Sequence, residues 1–436
     1  MDYQQTLQYL FTSAPLFQQV GGAAYKEGLS TTHELDRYFG HPHREFRTIH
    51  VAGTNGKGST AHTLAAMLQH HGYRVGLYTS PHLVDFRERI RVNGEMLPES
   101  FVVDFVERHR AFFEPLHPSF FELTTAMAFH YFALQKVDVA VIEVGLGGRL
   151  DCTNIICPEL CVITNISFDH TQFLGHTLAT IASEKAGIIK ENVPVVVGET
   201  MEETRPVFAA KAQEKHAPIV FAEEMGEIAD THLTADYLRH YETKHWGAFD
   251  AQLTGECQVK NAATILAAAE VMKERFGITI EDVHHAFRNV CTDTGLMGRW
   301  QTLSTKPTVV CDTGHNLGGW TYLAHQLEEA ERKSKALRVV FGMASDKDVS
   351  HVMELLPATA TYYWARASVH RALDEHVLQE EGHKHGLEGK AYATVEEAYD
   401  AAMRDSDEAD FVYVGGSSFV VADLLTFLLD SRSARA

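Results

Sequence analysis

Apolar residues along the chain follow two patterns that alternate. Short and nearly continuous apolar runs, such as 137–144 and 161–166, are typical of strands buried on both faces of a parallel sheet. Longer stretches with helical spacing, such as 98–114 and 121–136, separate these runs. Strands that alternate with helices predict an α/β fold built on mostly parallel sheets.

The same pattern predicts two domains. Gly295 and Gly298 mark a hinge-like linker, and the alternation of strand and helix restarts after it. We therefore predict an N-terminal domain over residues 1–294 and a C-terminal domain over residues 295–436.

Three stretches have a weaker pattern. The N-terminal residues have helical spacing that extends to Leu16 and Phe17. Residues 205–250 lose periodicity, which suggests a peripheral excursion from the domain. Residues 85–94 carry three arginines and favour a solvated hairpin, with contact to a bound anion as the alternative.

A glycine-rich loop follows the apolar run that begins at Ile49 and precedes a helical stretch. Glycines let backbone N–H groups approach phosphate oxygens, the helix N-terminus adds partial positive charge, and Lys57 adds a full one. The spacing differs from G-x-x-x-x-G-K-[ST], because Gly58 follows the lysine where a hydroxyl is usual. The predicted phosphate-binding residues are Gly53, Thr54, Asn55, Gly56, Lys57, Gly58, Ser59 and Thr60.

Polar residues end several other predicted strands. Glu143 closes a buried strand beside a glycine-rich turn, which favours a Mg²⁺ ligand or an anchor for catalytic water over a buried ion pair. Ser80 and His170 follow two other predicted strands, although a lone histidine is more often structural. Lys185 lies on a short helix, where the residues alone predict a solvated side chain.

Charge and cysteine usage restrict the class of protein. The 436 residues include 38 basic and 58 acidic side chains and carry a net charge of −20, which disfavours nucleic-acid and anionic-membrane binding. Six cysteines in a chain of this length do not resemble a disulfide framework and favour a reducing cytoplasm. No apolar run is long enough to span a bilayer, and no targeting segment is apparent.

Several motifs together closely resemble folylpolyglutamate synthase, in the dihydrofolate synthase/folylpolyglutamate synthase branch of the Mur ligase superfamily. The resemblance extends from the N-terminal region to the last strand. The motifs that carry it are Gly-Thr-Asn-Gly-Lys-Gly-Ser at 53–59, Ser-Pro-His-Leu at 80–83, Glu-Val-Gly-Leu-Gly-Gly-Arg-Leu-Asp at 143–151, Asp-His at 169–170 and Glu-Lys-Ala-Gly-Ile at 184–188.

This resemblance implies a P-loop ATP-binding domain, a smaller Rossmann-like C-terminal domain and ligands in the cleft between them. It implies a ligase in which ATP phosphorylates a substrate carboxylate and the amine of L-glutamate then displaces phosphate. The implied cofactors are ATP and Mg²⁺, with two ions expected. The implied partners are small molecules only, namely pteroate or folate, L-glutamate and ATP, with no nucleic acid or membrane, and we expect a monomer.

The resemblance also implies roles for individual residues. Lys57, Lys185 and His315 would be catalytic, with His315 a candidate base for the glutamate amine. Lys185 would be carbamylated, which requires a neutral amine and hence a lowered lysine pKa. The implied Mg²⁺ ligands are Ser80, Glu143, His170 and Lys185, and the implied nucleotide contacts outside the loop are Asn261, Arg299, Asp312 and His315.

Two further features bear on the implied site. The stretch 120–124 resembles the family's folate pocket, in which Phe121, Glu122 and Thr124 would contact the substrate; the alternative is the start of a core helix. The sequence departs from the family at Met297 and Thr313, where proline and glycine are usual. These departures affect hinge stiffness and backbone approach.

Other functions are compatible with the loop alone. A P-loop GTPase or kinase is disfavoured, because no guanine-reading Asn/Thr-Lys-x-Asp motif occurs and a second α/β domain would be surplus. A non-enzymatic nucleotide-binding module would not explain Glu143, His170 and Lys185. Another Mur-type amide ligase is a third alternative. Whether dihydropteroate, folate or both are accepted stays open.

Overall fold

The computed structural model describes residues 1–13 and 28–433, so Leu16 and Phe17 lie outside the described residues. The chain forms two compact units. One comprises Met1–Thr254 and Gln258–Leu296, and the other comprises Gly255–Cys257 and Met297–Ala436. No helix in the described ranges has the length and apolar character needed to cross a membrane.

The first unit is built on an eight-stranded sheet of order β4-β3-β2-β5-β1-β6-β7-β8. Strands β2, β5, β1, β6, β7 and β8 are parallel, while β3 and β4 add an antiparallel edge. The strands are β1 Arg47–Ala52, β2 Val75–Tyr78, β3 Ile90–Val92, β4 Glu95–Met96, β5 Val139–Glu143, β6 Leu160–Ile163, β7 Val195–Val197 and β8 Ile219–Phe221.

Helices cover both faces of this sheet, which is why its central strands are continuously apolar. The α-helices of the first unit are Tyr3–Ser13, Ser30–Tyr38, Lys57–His70, Glu99–Phe113, Phe120–Leu134, Thr171–Leu174, Leu178–Ala186, Arg205–Glu214, Ala222–Met225, Cys257–Phe276, which begins in the second unit, and Ile280–Thr294. Short 3₁₀ helices occur at Pro42–Arg44, Phe86–Arg89, Glu114–Leu116 and Cys152–Ile155.

The stretch 205–250 is more ordered than its sequence pattern predicts. It contributes β8 to the main sheet and then a separate antiparallel sheet of β9 Ile228–Leu233, β10 Arg239–Thr243 and β11 Ala248–Ala251. Tyr241 and Trp246 from this region are fully buried in the main core. None of the six residues of β9 is buried, so this strand lacks the apolar pattern of a core strand.

The charged stretch 85–94 is not the solvated hairpin that we expected. Its strand β3 pairs with β2, and Arg89 and Arg91 are buried. The Arg89 Nε atom donates to His82 Nδ1 at 2.7 Å, and its guanidinium lies over the Phe120 ring. Arg91 donates to the Gly94 carbonyl at 3.1 Å. Both arginines therefore organise the edge of the sheet.

The second unit contains a six-stranded sheet of order β12-β13-β17-β14-β15-β16, parallel except for β12. The strands are β12 Gln301–Thr305, β13 Thr308–Asp312, β14 Leu337–Phe341, β15 Thr361–Ala365, β16 Gly389–Tyr392 and β17 Phe411–Gly415. The helices are Leu317–Lys333, Val349–Met353, Glu375–Lys384, Val395–Arg404 and Ser418–Ser433. The predicted α/β class is confirmed for both units.

Candidate active site

The loop between β1 and the helix Lys57–His70 has no room for side chains at two glycines. Gly53 has φ of 146°, and a Cβ there would lie 1.9 Å from Thr164 Oγ1. Gly56 has φ of 82°, and a Cβ there would lie 2.2 Å from Asn261 Oδ1. Only glycine adopts these conformations without strain, and its backbone is open to close approach by a phosphate.

The residues that follow β6 brace the same loop. The Thr54 N–H donates to the Asn165 carbonyl at 2.9 Å, and the Asn55 N–H donates to Asn165 Oδ1 at 2.9 Å. The Ser167 N–H in turn donates to Thr54 Oγ1 at 3.0 Å. These bonds hold the loop in one shape before any ligand binds, which lowers the entropic cost of binding.

Two lysines meet at one carbonyl of the loop. Lys57 Nζ donates to Gly53 O at 3.1 Å, and Lys185 Nζ donates to the same oxygen at 3.0 Å. Lys185 is only 4% exposed, so the solvated side chain predicted from the residues alone is wrong. Burial, followed by the charge of Lys57, lowers the pKa of the Lys185 amine to about 7. A substantial fraction of this amine is therefore neutral near pH 7.

The first turn of the helix connects the loop to Asn261. Asn261 Nδ2 donates to Gln258 Oε1 at 2.9 Å, and Gln258 Nε2 donates to Ser59 Oγ at 3.2 Å. Gly58 lies in this turn. The Thr60 hydroxyl is buried and has no hydrogen-bond partner within the described ranges. A buried polar atom of this kind fits a site that is completed by a polar ligand.

Two of the predicted metal ligands, Ser80 and Glu143, lie at strand ends, whereas His170 precedes a short helix and Lys185 lies on another helix. Glu143 is the last residue of β5, is 3% exposed and accepts a hydrogen bond of 3.2 Å from the Ser80 N–H. His170 has a left-handed backbone, and its N–H donates to Asp169 Oδ1 at 2.9 Å. A buried carboxylate beside a serine offers the oxygen ligands that Mg²⁺ prefers. The structure thus pairs Ser80 with Glu143 and Lys57 with Lys185.

A buried polar chain that the sequence reasoning missed holds the turn after Glu143. Asp151 accepts from the Leu146 N–H at 2.8 Å and from the Thr153 N–H at 3.0 Å, and the Thr153 hydroxyl bonds His50 Nε2 at 2.8 Å. Burial lowers the pKa of His50 to about 3 and raises that of Asp151. His50 lies within the apolar run of β1, so only its polarity in a buried strand could have revealed it.

The predicted substrate residues have different surroundings. The Phe121 ring lies against Gly145, where an added Cβ would be 2.4 Å from Phe121 Cζ. The Thr124 hydroxyl bonds the Tyr78 hydroxyl at 2.9 Å. Glu122 accepts from the Ser119 N–H at 2.8 Å in a capping box that begins the helix. Phe121 therefore lies next to the Glu143 turn, while the Glu122 carboxylate caps a helix.

The predicted nucleotide contacts of the second unit gather after β13. Asp312 accepts from the Trp300 N–H and from the Gly314 N–H, each at 2.7 Å, and burial raises its pKa. Arg299 donates to the Thr313 hydroxyl, and His315 Nδ1 lies 3.0 Å from the Thr313 carbonyl. In this cluster the side chains bind mainly the turn itself.

Two family models match the chain. The Mur ligase middle domain matches residues 51–269, and the Mur ligase glutamate ligase domain matches residues 298–418. The chain belongs to the Mur ligase family. The first match contains the glycine loop and both lysines, and the second begins at Gly298 and contains Arg299.

Curated relatives and solved structures agree with this assignment. The Escherichia coli dihydrofolate synthase/folylpolyglutamate synthase is 36% identical over 391 residues, which cover 88% of this chain and 86% of the relative. A probable bifunctional folylpolyglutamate synthase/dihydropteroate synthase of Haloferax volcanii is 34% identical over 446 residues. These residues cover 98% of this chain and 50% of the relative, so the chain spans about half the length of that protein.

Among solved structures, E. coli FolC in complex with DHPP and ADP has a TM-score of 0.83 and 31% identity, with 99% of both chains covered. A bifunctional folylpolyglutamate synthase/dihydrofolate synthase with Mn, AMPPNP and L-glutamate bound has a TM-score of 0.80 and 29% identity, with 98% of both chains covered. The predicted family, fold and ligase class of this chain are therefore confirmed.

Proposed function

We propose that this Mur ligase joins the amine of L-glutamate to the carboxylate of a pteroate-type acceptor in a reaction driven by ATP. The relatives support this substrate set, because one solved structure holds DHPP and ADP and another holds L-glutamate with AMPPNP. The observation that carries the proposal is the meeting of Lys57 and Lys185 at the Gly53 carbonyl.

The reaction has two steps. The terminal phosphoryl group of ATP moves to an oxygen of the acceptor carboxylate, which gives an acyl phosphate and ADP. The neutral amine of glutamate then attacks the acyl carbon, phosphate leaves, and the nitrogen loses a proton to form the amide. Phosphoryl transfer needs positioning and charge neutralisation more than a protein nucleophile, and the loop N–H groups with Lys57 supply both.

Ser80, Glu143, His170 and a carbamylated Lys185 are the proposed ligands of divalent ions, which would neutralise phosphate charge when bound. The buried Glu143 carboxylate and the partly neutral Lys185 amine support this set. The neutral lysine amine forms an N–C bond with CO₂ and releases one proton, which leaves an anionic carbamate in place of a side chain that is a cation when protonated.

Further contacts stay proposals from the sequence. We assign nucleotide binding to Asn261, Arg299, Asp312 and His315, and Asn261 is supported by its contact with Gly56. Phe121 is the proposed stacking residue for the acceptor ring, because it lies against Gly145 beside the Glu143 turn. Thr124 and Glu122 complete the proposed pocket, although Glu122 already caps its helix.

We also propose the cellular compartment, the partners and the oligomeric state of the protein. The six cysteines are free thiols, which supports a reducing cytoplasm. The net charge of −20 disfavours nucleic acid as a partner, and we expect a monomer that acts on small molecules.

The test is an assay of purified full-length protein with ATP and Mg²⁺. Phosphate release and product mass are followed with dihydropteroate or a reduced folate as acceptor, each with and without L-glutamate. We expect product that is heavier by one glutamyl residue, and phosphate release that requires acceptor and glutamate together. Phosphate release that is indifferent to both would favour a P-loop GTPase or kinase, and ATP binding without phosphate release would favour a non-enzymatic nucleotide-binding module. The acceptor that is used decides between the two synthase activities.

A further inference from the structure

Two groups of potential metal ligands occur in the described ranges, and neither uses a residue of the candidate active site. They are Asp36 with His41 and His43, and Glu256 with His325 and Glu329; in each group the ligand atoms lie within 4.8 Å of one another. Their exposure differs. The side chains of Asp36 and His43 are 5% and 11% exposed, whereas that of His325 is 55% exposed. Only the first group has a buried anchor.

The local backbone directs both histidines toward Asp36. The helix Ser30–Tyr38 ends just before Gly40 and His41, whose φ values of 78° and 60° are left-handed and reverse the chain. His41 Nδ1 then lies 2.6 Å from Asp36 Oδ2, and His43 Nδ1 lies 2.6 Å from Asp36 Oδ1. One imidazole therefore meets each oxygen of the buried carboxylate.

The charge of this group is poorly balanced by protein alone. Within the described ranges, the ion pairs of Asp36 run only to histidines, which are charged only when protonated. A buried carboxylate is costly without a positive partner. A bound divalent cation would supply that charge at any pH at which the imidazoles are neutral.

We infer that Asp36, His41 and His43 bind one divalent transition-metal ion, with Zn²⁺ as the best match. Two imidazoles and a carboxylate suit Zn²⁺ rather than Mg²⁺. Bonds of about 2.0–2.1 Å from Zn²⁺ to its ligands place the ligand atoms of a tetrahedral site roughly 3.3 Å apart. Each imidazole nitrogen and its carboxylate oxygen, now 2.6 Å apart, would therefore separate by less than about 1 Å. Each neutral imidazole moves its proton from Nδ1 to Nε2, with no net proton release.

The ion would act as a structural clip. It would fix the turn at 40–44 that connects the helix Ser30–Tyr38 to β1, the strand that leads into the glycine loop. His41 is 37% exposed, so the ion can enter from solvent and a water can occupy the fourth position. The inference does not depend on the proposed ligase reaction, which uses none of the three side chains.

The test is metal titration of the full-length protein after removal of bound metal with a chelator. We expect one equivalent of Co²⁺ to give the visible absorption of a tetrahedral site, which Zn²⁺ abolishes by displacement and excess Mg²⁺ does not. Zn²⁺ should also raise the melting temperature, because it binds the folded state preferentially.

The variant His41→Gln/His43→Gln should lose this equivalent, with at least about tenfold weaker Zn²⁺ binding. Glutamine can still donate to Asp36, so the turn should fold. His325→Gln, in the exposed second group, is the matched control and should keep the equivalent. If the double variant is unstable, the single variant His41→Gln, at the more exposed ligand, tests the same loss. Unchanged Co²⁺ stoichiometry and spectrum in the histidine variants, or no tetrahedral spectrum in the wild type, would overturn the inference.

Discussion

The glycine loop of the first unit and the turn after β13 of the second unit have the same position in their sheets, but their polar side chains make different contacts. Each follows a buried parallel strand and carries polar side chains at the edge where α/β proteins bind ligands. At the loop, two lysine amines share the Gly53 carbonyl and the Thr60 hydroxyl has no partner in the described ranges. At the turn, both oxygens of Asp312 accept backbone N–H groups.

The two sites differ in the groups that surround the side chain whose pKa is shifted. Burial shifts the pKa of Lys185 and of Asp312 toward the neutral form in both places. At the loop the shifted group is a cation that shares an oxygen with a second cation, Lys57, whereas at the turn it is a carboxylate with the opposite charge of Arg299 nearby. A polar residue that follows a strand therefore indicates the ligand-binding edge of a sheet. The groups that it contacts indicate whether it takes part in the reaction or stabilises the turn.

The largest expected effect is at Lys185. Lys185→Ala should lower kcat/KM for glutamate-dependent phosphate release by about 10²–10³-fold or more, because it removes a group placed where charge develops. Lys190→Ala is the matched control, since Lys190 is a half-buried lysine that binds the Asn154 carbonyl away from the loop. It should stay within a few-fold of wild type. Turnover of Lys185→Ala at the wild-type rate would contradict a catalytic role for Lys185.

A smaller effect is expected at Gly56. Gly56→Ala adds a Cβ that would lie 2.2 Å from Asn261 Oδ1, at a φ of +82°. Left-handed strain costs about 1–2 kcal/mol, so ATP affinity should fall about 5- to 30-fold once the loop shifts. Gly386→Ala has similar strain at φ +75° with nothing within 4 Å, and it should leave ATP affinity unchanged. Calorimetric titration measures the ATP affinity of both variants. Equal ATP affinities of Gly56→Ala and Gly386→Ala would contradict phosphate binding by the glycine loop.

The smallest effect is expected at the turn after β13. Asp312→Asn leaves one backbone N–H facing an amide NH₂, so the free energy of unfolding of the second unit should fall by about 1–2 kcal/mol. Asp374→Asn is the control, because Asn caps a helix as well as Asp does. Urea unfolding measures both variants. An Asp312→Asn protein of wild-type stability would contradict this structural role of Asp312, whatever its ATP affinity.

Much of the fold could be predicted because its local signals are strong. The apolar strands, the helical spacing and the glycine linker at 295–300 all lie in consecutive residues. The sheet of β9, β10 and β11 could not be predicted, since β9 has no buried residue and therefore no apolar pattern. Arg89 and Arg91 were misjudged for a related reason, because their burial depends on pairing with β2.

The candidate site was only partly visible in the sequence. The glycine loop and Glu143 are apparent from residue type and position. Lys185 became a candidate only through the family resemblance, because its burial depends on packing beside β1 and cannot be inferred from a short helix. The capping role of Glu122 and the polar chain from Asp151 to His50 also require three-dimensional contacts.

The most direct test of the account is the dependence of ligation on pH and CO₂. With a pKa of about 7, Lys185 loses its proton as pH rises from about 6 to about 8, and the neutral amine can then form a carbamate. We predict that the initial ligation rate rises across this window, falls in CO₂-depleted buffer and recovers when bicarbonate is added. A rate that is unchanged by CO₂ depletion and flat across this window would contradict the central role given to Lys185.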